Sequence, residues 1–253
     1  MRTVELQGRP MALFMGGTLS ERGHIEFANE LGAAVISETN LAVSVTGYKG
    51  RRTLDETAIS HPSFGFCVAT GAEHAAASRD NEARIFTQVG YSEKRSEYFT
   101  VGQVINPRGR IRNAQQLAAI SSSSVVCLAS GAEGTRLLYE FALGLERPVL
   151  PLPFLGGMAN KIWKRRNYWA ARAFEIPTET AQRWGSVNLS SLTHDEVCSL
   201  AKETAACLEA SVRKRCLVFM PFTDHFSWVL EELVQPAAEK ASIDLVRIDL
   251  QDH

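Results

Sequence analysis

Four glycine clusters, each closing a short apolar run, carry most of the chemistry legible in this sequence: Gly16-Gly17, Gly47 with Gly50, Gly131 with Gly134, and Gly156-Gly157. Glycine lets a ligand or another backbone come close. A helix that starts just after such a turn has N–H groups with no intrahelical acceptor, so turn and helix together hold an anion without needing a lysine. One glycine turn is weak evidence, because any α/β fold uses them for steric reasons; four favour a phosphate-bearing ligand over turn geometry alone. Thr18, Thr46 and Thr135 set hydroxyls at the same places, able to cap a helix or to donate to phosphate. Arg112 and Arg136 flank the third cluster and can neutralise a diphosphate through bidentate bonds, although each also fits a solvated surface charge. Lys161 lies one turn into the helix after Gly156-Gly157, and Glu133 and Glu140 can accept from ribose hydroxyls. His24, His61, His74 and His194 show no metal-ligand spacing, and no HExxH, Walker or GxSxG motif occurs, so no metal ligand and no catalytic residue is assigned. Asp224, His225 and Ser227 are adjacent in sequence, which does not supply the geometry of a catalytic triad.

The elements that must position these residues read as an α/β pattern. Residues 11–15 form an apolar strand ending at Gly16-Gly17, and a helix capped by Ser20 runs to Gly32. Residues 41–45 form a second strand, followed by a helix carrying Leu54 and Ile59 before Pro62. Residues 64–69 are a third strand candidate, and residues 71–98 are a polar, alanine-rich excursion with no legible structure. Residues 101–105 read as strand and 113–120 as helix. Then come a strand at 125–128, a helix carrying Leu137, Leu138, Phe141 and Leu145, a strand at 148–152, and a helix through Ile162 and Trp163. Residues 175–191 are turn-rich. A helix over 193–212 follows, with Asp195 and Glu196 favourable in its first turn. Residues 216–220, 226–241 and 244–248 then spell a new strand, helix and strand.

The 253 residues, 45% apolar and 22% charged, fit one sizeable α/β domain with an appendage. The formal charge of −1 argues against broad nucleic-acid binding, so any anion must be held locally. The five cysteines form no CxxC pair and read as free thiols of a reducing cytoplasm. The N-terminal apolar stretch is too short for a signal peptide, and no run approaches membrane-spanning length; a soluble cytoplasmic protein is expected.

The segment GAEGTRLLYE with RPVLPLP, preceded in order by FMGGTL, FANELG and SVTGYKG, resembles the SLOG superfamily, which includes the LOG cytokinin-activating enzymes and domains that sense ADP-ribose-type nucleotides. The resemblance covers about residues 11–163. The stretch PLPFLGGMANKIW is similar to the subgroup coupled to TIR or sirtuin-type NAD-consuming domains in bacterial antiphage defence, and VFMPFTDHF with VLEELVQPAAEK resembles the start of a TIR-like domain. The resemblance implies a Rossmann-like parallel sheet flanked by helices, divided as a nucleotide-binding domain over 1–192, a bridging helix over 193–213 and the opening of a TIR-like domain, expected to be truncated, over 214–253. It implies an ADP-ribose-like nucleotide, linear or cyclic, as ligand. NAD would be the substrate of a full-length effector, no cofactor would be required, and homo-oligomer assembly would be the switch. Against the LOG pattern PGGxGTxxE, Ser130 replaces the proline, Ala132 the second glycine and Leu138 the catalytic glutamate. Glu140 lies two residues on, about 200° around the helix, and does not substitute for it. The expectation is therefore binding without hydrolysis; a LOG-like nucleoside monophosphate phosphoribohydrolase and a purely structural oligomerisation module are the alternatives.

Overall fold

The computed structural model describes residues 9–52, 59–77, 84–89, 99–106, 112–212, 214–218, 228–240 and 243–247. The chain forms two compact units, Met1–Ser211 and Val212–His253. The first unit runs β1 (Met11–Gly16), α1 (Arg22–Glu38), β2 (Ala42–Thr46), β3 (Gly50–Arg52), β4 (Ile59–Pro62), α2 (Phe64–Ala77), β5 (Ile85–Gln88), β6 (Gln103–Ile105), α3 (Arg112–Ser121), β7 (Val125–Ala129), α4 (Glu133–Gly144), β8 (Val149–Leu152), α5 (Gly157–Ala173), α6 (Thr178–Ser186) and α7 (His194–Ala210). Six of these strands make one sheet in the order β6-β5-β2-β1-β7-β8, with every neighbouring pair parallel. The expected α/β class, a Rossmann-like parallel sheet flanked by helices, is what the chain adopts.

Alternation along the strands sorts the core into two layers. Leu13 and Met15 of β1 join Val126 and Leu128 of β7 and, from α3 and α4, Ile120, Leu138 and Ala142 in one buried cluster. The side chain between them, Phe14, instead meets Phe64 of α2 edge-on, with ring centroids 6.1 Å apart. On α1, Phe27 stacks edge-to-face with Phe154 at 4.9 Å, and Phe154 does the same with Trp184 of α6 at 5.7 Å. The two innermost helices of this layer touch backbone to backbone: a methyl group on Gly71 would stand 1.8 Å from the Asn29 carbonyl oxygen. Arg84, buried, serves the end of α1, its guanidinium donating to the Ile36, Thr39 and Leu41 carbonyls at 2.9, 2.6 and 2.5 Å. The Ile36 carbonyl is an orphan acceptor of the α1 C-terminus and Thr39 is its C-cap, while Leu41 lies just before β2; a cation there also meets the negative end of the helix dipole.

Several elements depart from the sequence reading. Residues 64–69, expected as strand, open α2; a short run that is apolar throughout has no period to distinguish the two. The Ser63 hydroxyl settles it by accepting from the Phe66 N–H at 3.1 Å, an N-cap. Ile59, expected on a helix, lies in β4, paired antiparallel with β3, while Leu54 falls outside the described residues. The excursion at 71–98 contributes the end of α2 and then β5, an interior strand of the sheet; residues 78–83 and 90–98 lie outside the described residues. The turn-rich stretch contains α6. α7, expected as a bridge, packs along α1 within the first unit, and its start is a full capping box of Thr193 and Glu196.

In the second unit, β9 (Lys214–Val218) and β10 (Ile243–Arg247) pair in parallel, and a π-helical turn at Val229–Val234 leads into α8 (Gln235–Lys240) between them. This is the strand-helix-strand order expected from the sequence.

Candidate functional site

From β1 the chain builds outward through β2, β5 and β6, then returns to add β7 and β8 on the other flank. The reversal falls between β1 and β7. In open parallel sheets ligands bind outside the carboxyl ends of the strands at such a switch point. The loops here are those of Gly16-Gly17 and of Ser130–Gly134.

Three of the four glycine clusters converge at this point. A methyl group on Gly17 would sit 2.6 Å from both the nitrogen and the Cα of Gly131. One on Gly157 would sit 2.6 Å from the Gly131 carbonyl oxygen. Only glycine permits three backbones to approach this closely. Hydrogen bonds fasten the stack: the Gly17 N–H donates to the Ala129 carbonyl at 3.0 Å, and the Met158 N–H at the start of α5 donates to the Gly131 carbonyl at 2.8 Å. The Thr135 hydroxyl lies below, 1.9 Å from where a Gly131 side chain would begin, and Thr135 is buried.

The donors are distributed unevenly among these loops. The amides of Gly17 and Met158 are spent on Ala129 and Gly131, and Gly47 donates to the Gln88 carbonyl at 2.9 Å. The first-turn amides of Glu133 and Gly134 lack intrahelical acceptors by position, and Ala132 at the N-cap offers no side-chain acceptor. The sequence suggested four phosphate cradles. Among these turns, the N-terminus of α4 keeps first-turn amides without intrahelical acceptors, and Gly16-Gly17 and Gly156-Gly157 are packed closely against its loop. A methyl group on Gly134 would meet nothing within 4 Å, so the opening turn of α4 faces open space there.

Backbone strain marks the same loop. Ser130 has φ 48° and Gly131 φ 80°. The other described non-glycine residues with positive φ, Glu146 and Glu175, follow the ends of α4 and α5, where a left-handed residue is an ordinary helix stop. Ser130 follows a strand. Holding it there costs on the order of 1–3 kcal/mol, a strain that clusters at ligand sites.

The remaining candidates divide. Thr18 forms a β-bridge with Ser63 in place of capping α1, which begins at Arg22 after an N-cap Glu21 with no side-chain cap; Ser20 therefore does not cap it. Thr46 ends β2 and Gly47 follows it, closed around by Val89, Thr87 and Phe99, and Gly50 sits in β3, where a methyl group on it would stand 2.2 Å from the His61 carbonyl oxygen. Neither Gly47 nor Gly50 opens a helix among the described residues. Arg136 pairs with Glu133 and Glu140 on the exposed face of α4, its Nε donating to Glu133 at 2.7 Å. That guanidinium raises no open question of partners: it lowers the Glu133 pKa chiefly through its hydrogen bond and has its own raised in return. Arg112 begins α3 and Lys161 lies in α5, both exposed. Leu138, which the sequence reading set against the LOG glutamate, packs into the core cluster.

One residue that the sequence reading passed over lies close to this site in the chain. Asn160, in the second half of the first turns of α5, has a buried Oδ1 with no hydrogen-bond partner among the described residues. A buried acceptor left without a donor costs about 1–3 kcal/mol. Its only sequence signal was its place three residues beyond Gly157.

No protein-family model matches the sequence, and no curated protein matches it. Solved structures similar to this chain include the structural-genomics protein TM1055, 14% identical over 61% of this chain and 81% of that one, with TM-score 0.45. The molybdenum cofactor binding protein of the phototrophic bacterium Rippkaea orientalis is 19% identical over 56% of this chain and 74% of that one, with TM-score 0.41. The molybdenum cofactor carrier protein of Chlamydomonas reinhardtii is 17% identical over 56% and 74%, with TM-score 0.39.

Proposed function

We propose that residues 1–211 form a SLOG-type nucleotide-binding unit that takes an ADP-ribose-like nucleotide, linear or cyclic, at the β1/β7 switch point and binds it without hydrolysis. The observation that carries this reading is the contact of Gly17, Gly131 and Gly157 beneath the unfilled N-terminus of α4. A diphosphate would accept from the Glu133 and Gly134 amides, with the positive end of the α4 dipole behind them. Asn160 would accept from a ribose hydroxyl or base amino group. Leucine at position 138 can neither shuttle a proton nor stabilise an oxocarbenium-like charge, which favours sensing over cleavage.

In the full reading, the β9-α8-β10 unit opens a TIR-like effector whose NAD consumption in antiphage defence is controlled by the nucleotide, through assembly of copies of the chain. The exposed Tyr168 and Trp169 on α5, ring centroids 5.7 Å apart, are apolar surface that such assembly would cover. The ligand acts as a trigger only by the difference in its affinity for the resting and assembled states.

Titration calorimetry of the 253-residue chain with ADP-ribose, cyclic ADP-ribose and AMP, together with an assay for free adenine, tests the core of the proposal. Binding of an ADP-ribose species without adenine release is expected. Adenine released from AMP would replace the sensor with a LOG-like hydrolase, and absence of binding by every nucleotide would leave a structural module.

A further inference from the structure

A second site stands on the helices α1 and α7, apart from the rim. The two run side by side in the same direction, and Glu26 and Glu30 of α1 meet His194 and Cys198 of α7, each pair one helical turn apart. The His194 Nδ1 is 2.8 Å from the Glu26 carboxylate. The Cys198 Sγ is 3.4 Å from the Glu30 Oε2 and 3.5 Å from the His194 Nε2. The thiol, imidazole and carboxylate atoms all lie within 4.8 Å of one another.

We propose that Glu30, His194 and Cys198 bind one zinc ion, which fastens α7 to α1. Zinc–sulfur bonds of about 2.3 Å and zinc–nitrogen or zinc–oxygen bonds of about 2.0–2.2 Å, set at tetrahedral angles, place neighbouring ligand atoms about 3.6 Å apart. Two edges of that tetrahedron therefore already stand at their final length. Sulfur, imidazole nitrogen and carboxylate oxygen together are a donor set that zinc accepts and that the harder calcium and magnesium ions do not.

The outer partner is in place too. A zinc-bound histidine commonly donates its other ring N–H to a carboxylate, which fixes the tautomer. Glu26 on Nδ1 does this, leaving the Nε2 lone pair on the side of Cys198. On binding, the Cys198 thiol gives its proton to solvent and coordinates as thiolate, His194 coordinates through Nε2, and Glu30 through a carboxylate oxygen. His194 is exposed, so water takes the fourth position. Because α7 ends at Ala210, at the boundary of the first unit, the ion would anchor the helix from which the second unit departs in sequence.

Titration of the full chain with cobalt(II), the spectroscopic stand-in for zinc, tests this. One equivalent should give a thiolate-to-cobalt charge-transfer band with the ligand-field bands of a tetrahedral ion, and zinc should displace it. Cys198→Ser should abolish the charge-transfer band. Cys207→Ser, on the same helix but outside the cluster, should retain it. Glu26→Gln should weaken binding by about 10–100-fold, the usual loss when an outer carboxylate is removed. A measurement without substitution runs in parallel: zinc should protect Cys198 of the unmodified chain from alkylation, read by peptide mass spectrometry. Absence of the charge-transfer band in the folded chain, its survival in Cys198→Ser, or equal alkylation of Cys198 with and without zinc would each overturn the site.

Discussion

The two flanks of the sheet rim start from the same sequence signal, an apolar strand closed by glycine, and reach opposite ends. On the β1/β7/β8 flank the missing side chains of Gly17 and Gly157 are replaced by the backbone of the Ser130–Gly131 loop, while that of Gly131 leaves room for the Thr135 hydroxyl and the Gly17 amide. On the β2/β5 flank the missing side chain of Gly47 faces Val89 and Thr87 side chains and the Phe99 carbonyl, and Phe99 packs on Phe66 at 5.0 Å, so that flank is filled. Glycine at a strand end therefore has at least two uses. Backbone against backbone assembles a shared loop platform; backbone against side chains only completes the packing.

The largest effect that would break this distinction is on stability. Gly131→Ala must place a methyl group 1.9 Å from the Thr135 hydroxyl while holding φ at 80°. The left-handed backbone costs an alanine about 1–2 kcal/mol and overpacking about 1–3 kcal/mol more. A drop of roughly 2–5 kcal/mol in urea unfolding free energy is expected on those grounds, with nucleotide binding lost. An unchanged midpoint would mean that the glycine stack is not a fixed platform.

Gly134→Ala separates ligand space from fold. Its methyl group meets no protein atom within 4 Å, and alanine in a helix is favoured over glycine by about 1 kcal/mol, so stability should hold or rise. The proposed phosphate position is at that same turn, and a loss of affinity for ADP-ribose of about tenfold or more, some 1.4 kcal/mol, is expected by calorimetry. Full affinity in this variant would remove α4 from the binding site. Gly47→Ala is the control from the filled flank: with Val89 at 3.0 Å, it should cost stability without altering affinity.

How much of this was legible beforehand depended on the distance over which a signal acts. The order β1, β7, α4, β8, α5 could be read because each unit carries its own apolar run and its own glycine. α2 was misread because the evidence for it is a single serine hydroxyl capping an otherwise uniform apolar stretch. β5 could not be read because it is an interior strand only through its pairing with β2, about forty residues earlier. The consumption of the Gly17 and Met158 amides by neighbouring loops was invisible for the same reason. The α1–α7 cluster is the extreme case, with Glu26 and His194 separated by 168 positions. The i,i+4 spacing of His194 and Cys198 was its one local trace, and it needed the glutamates of another helix to acquire meaning.

Arg136 supplies the smallest expected effect and the sharpest check on that lesson. Beside a glycine turn, in the first turn of a helix, it reads from sequence as a clamp for diphosphate. In the fold it lies between Glu133 and Glu140, spaced three and four residues from it on the exposed face of α4. To reach a phosphate it would have to leave both carboxylates, and in water-exposed surroundings those pairs contribute little to either state. Arg136→Gln should therefore shift the Kd for ADP-ribose by less than about twofold, or about 0.4 kcal/mol of binding free energy, while leaving the urea midpoint where it was. A loss of tenfold or more would show that the arginine swings to the ligand on binding. The rim would then be read by a mobile cation in addition to fixed backbone amides, and the contrast between its two flanks would rest on charge as much as on glycine.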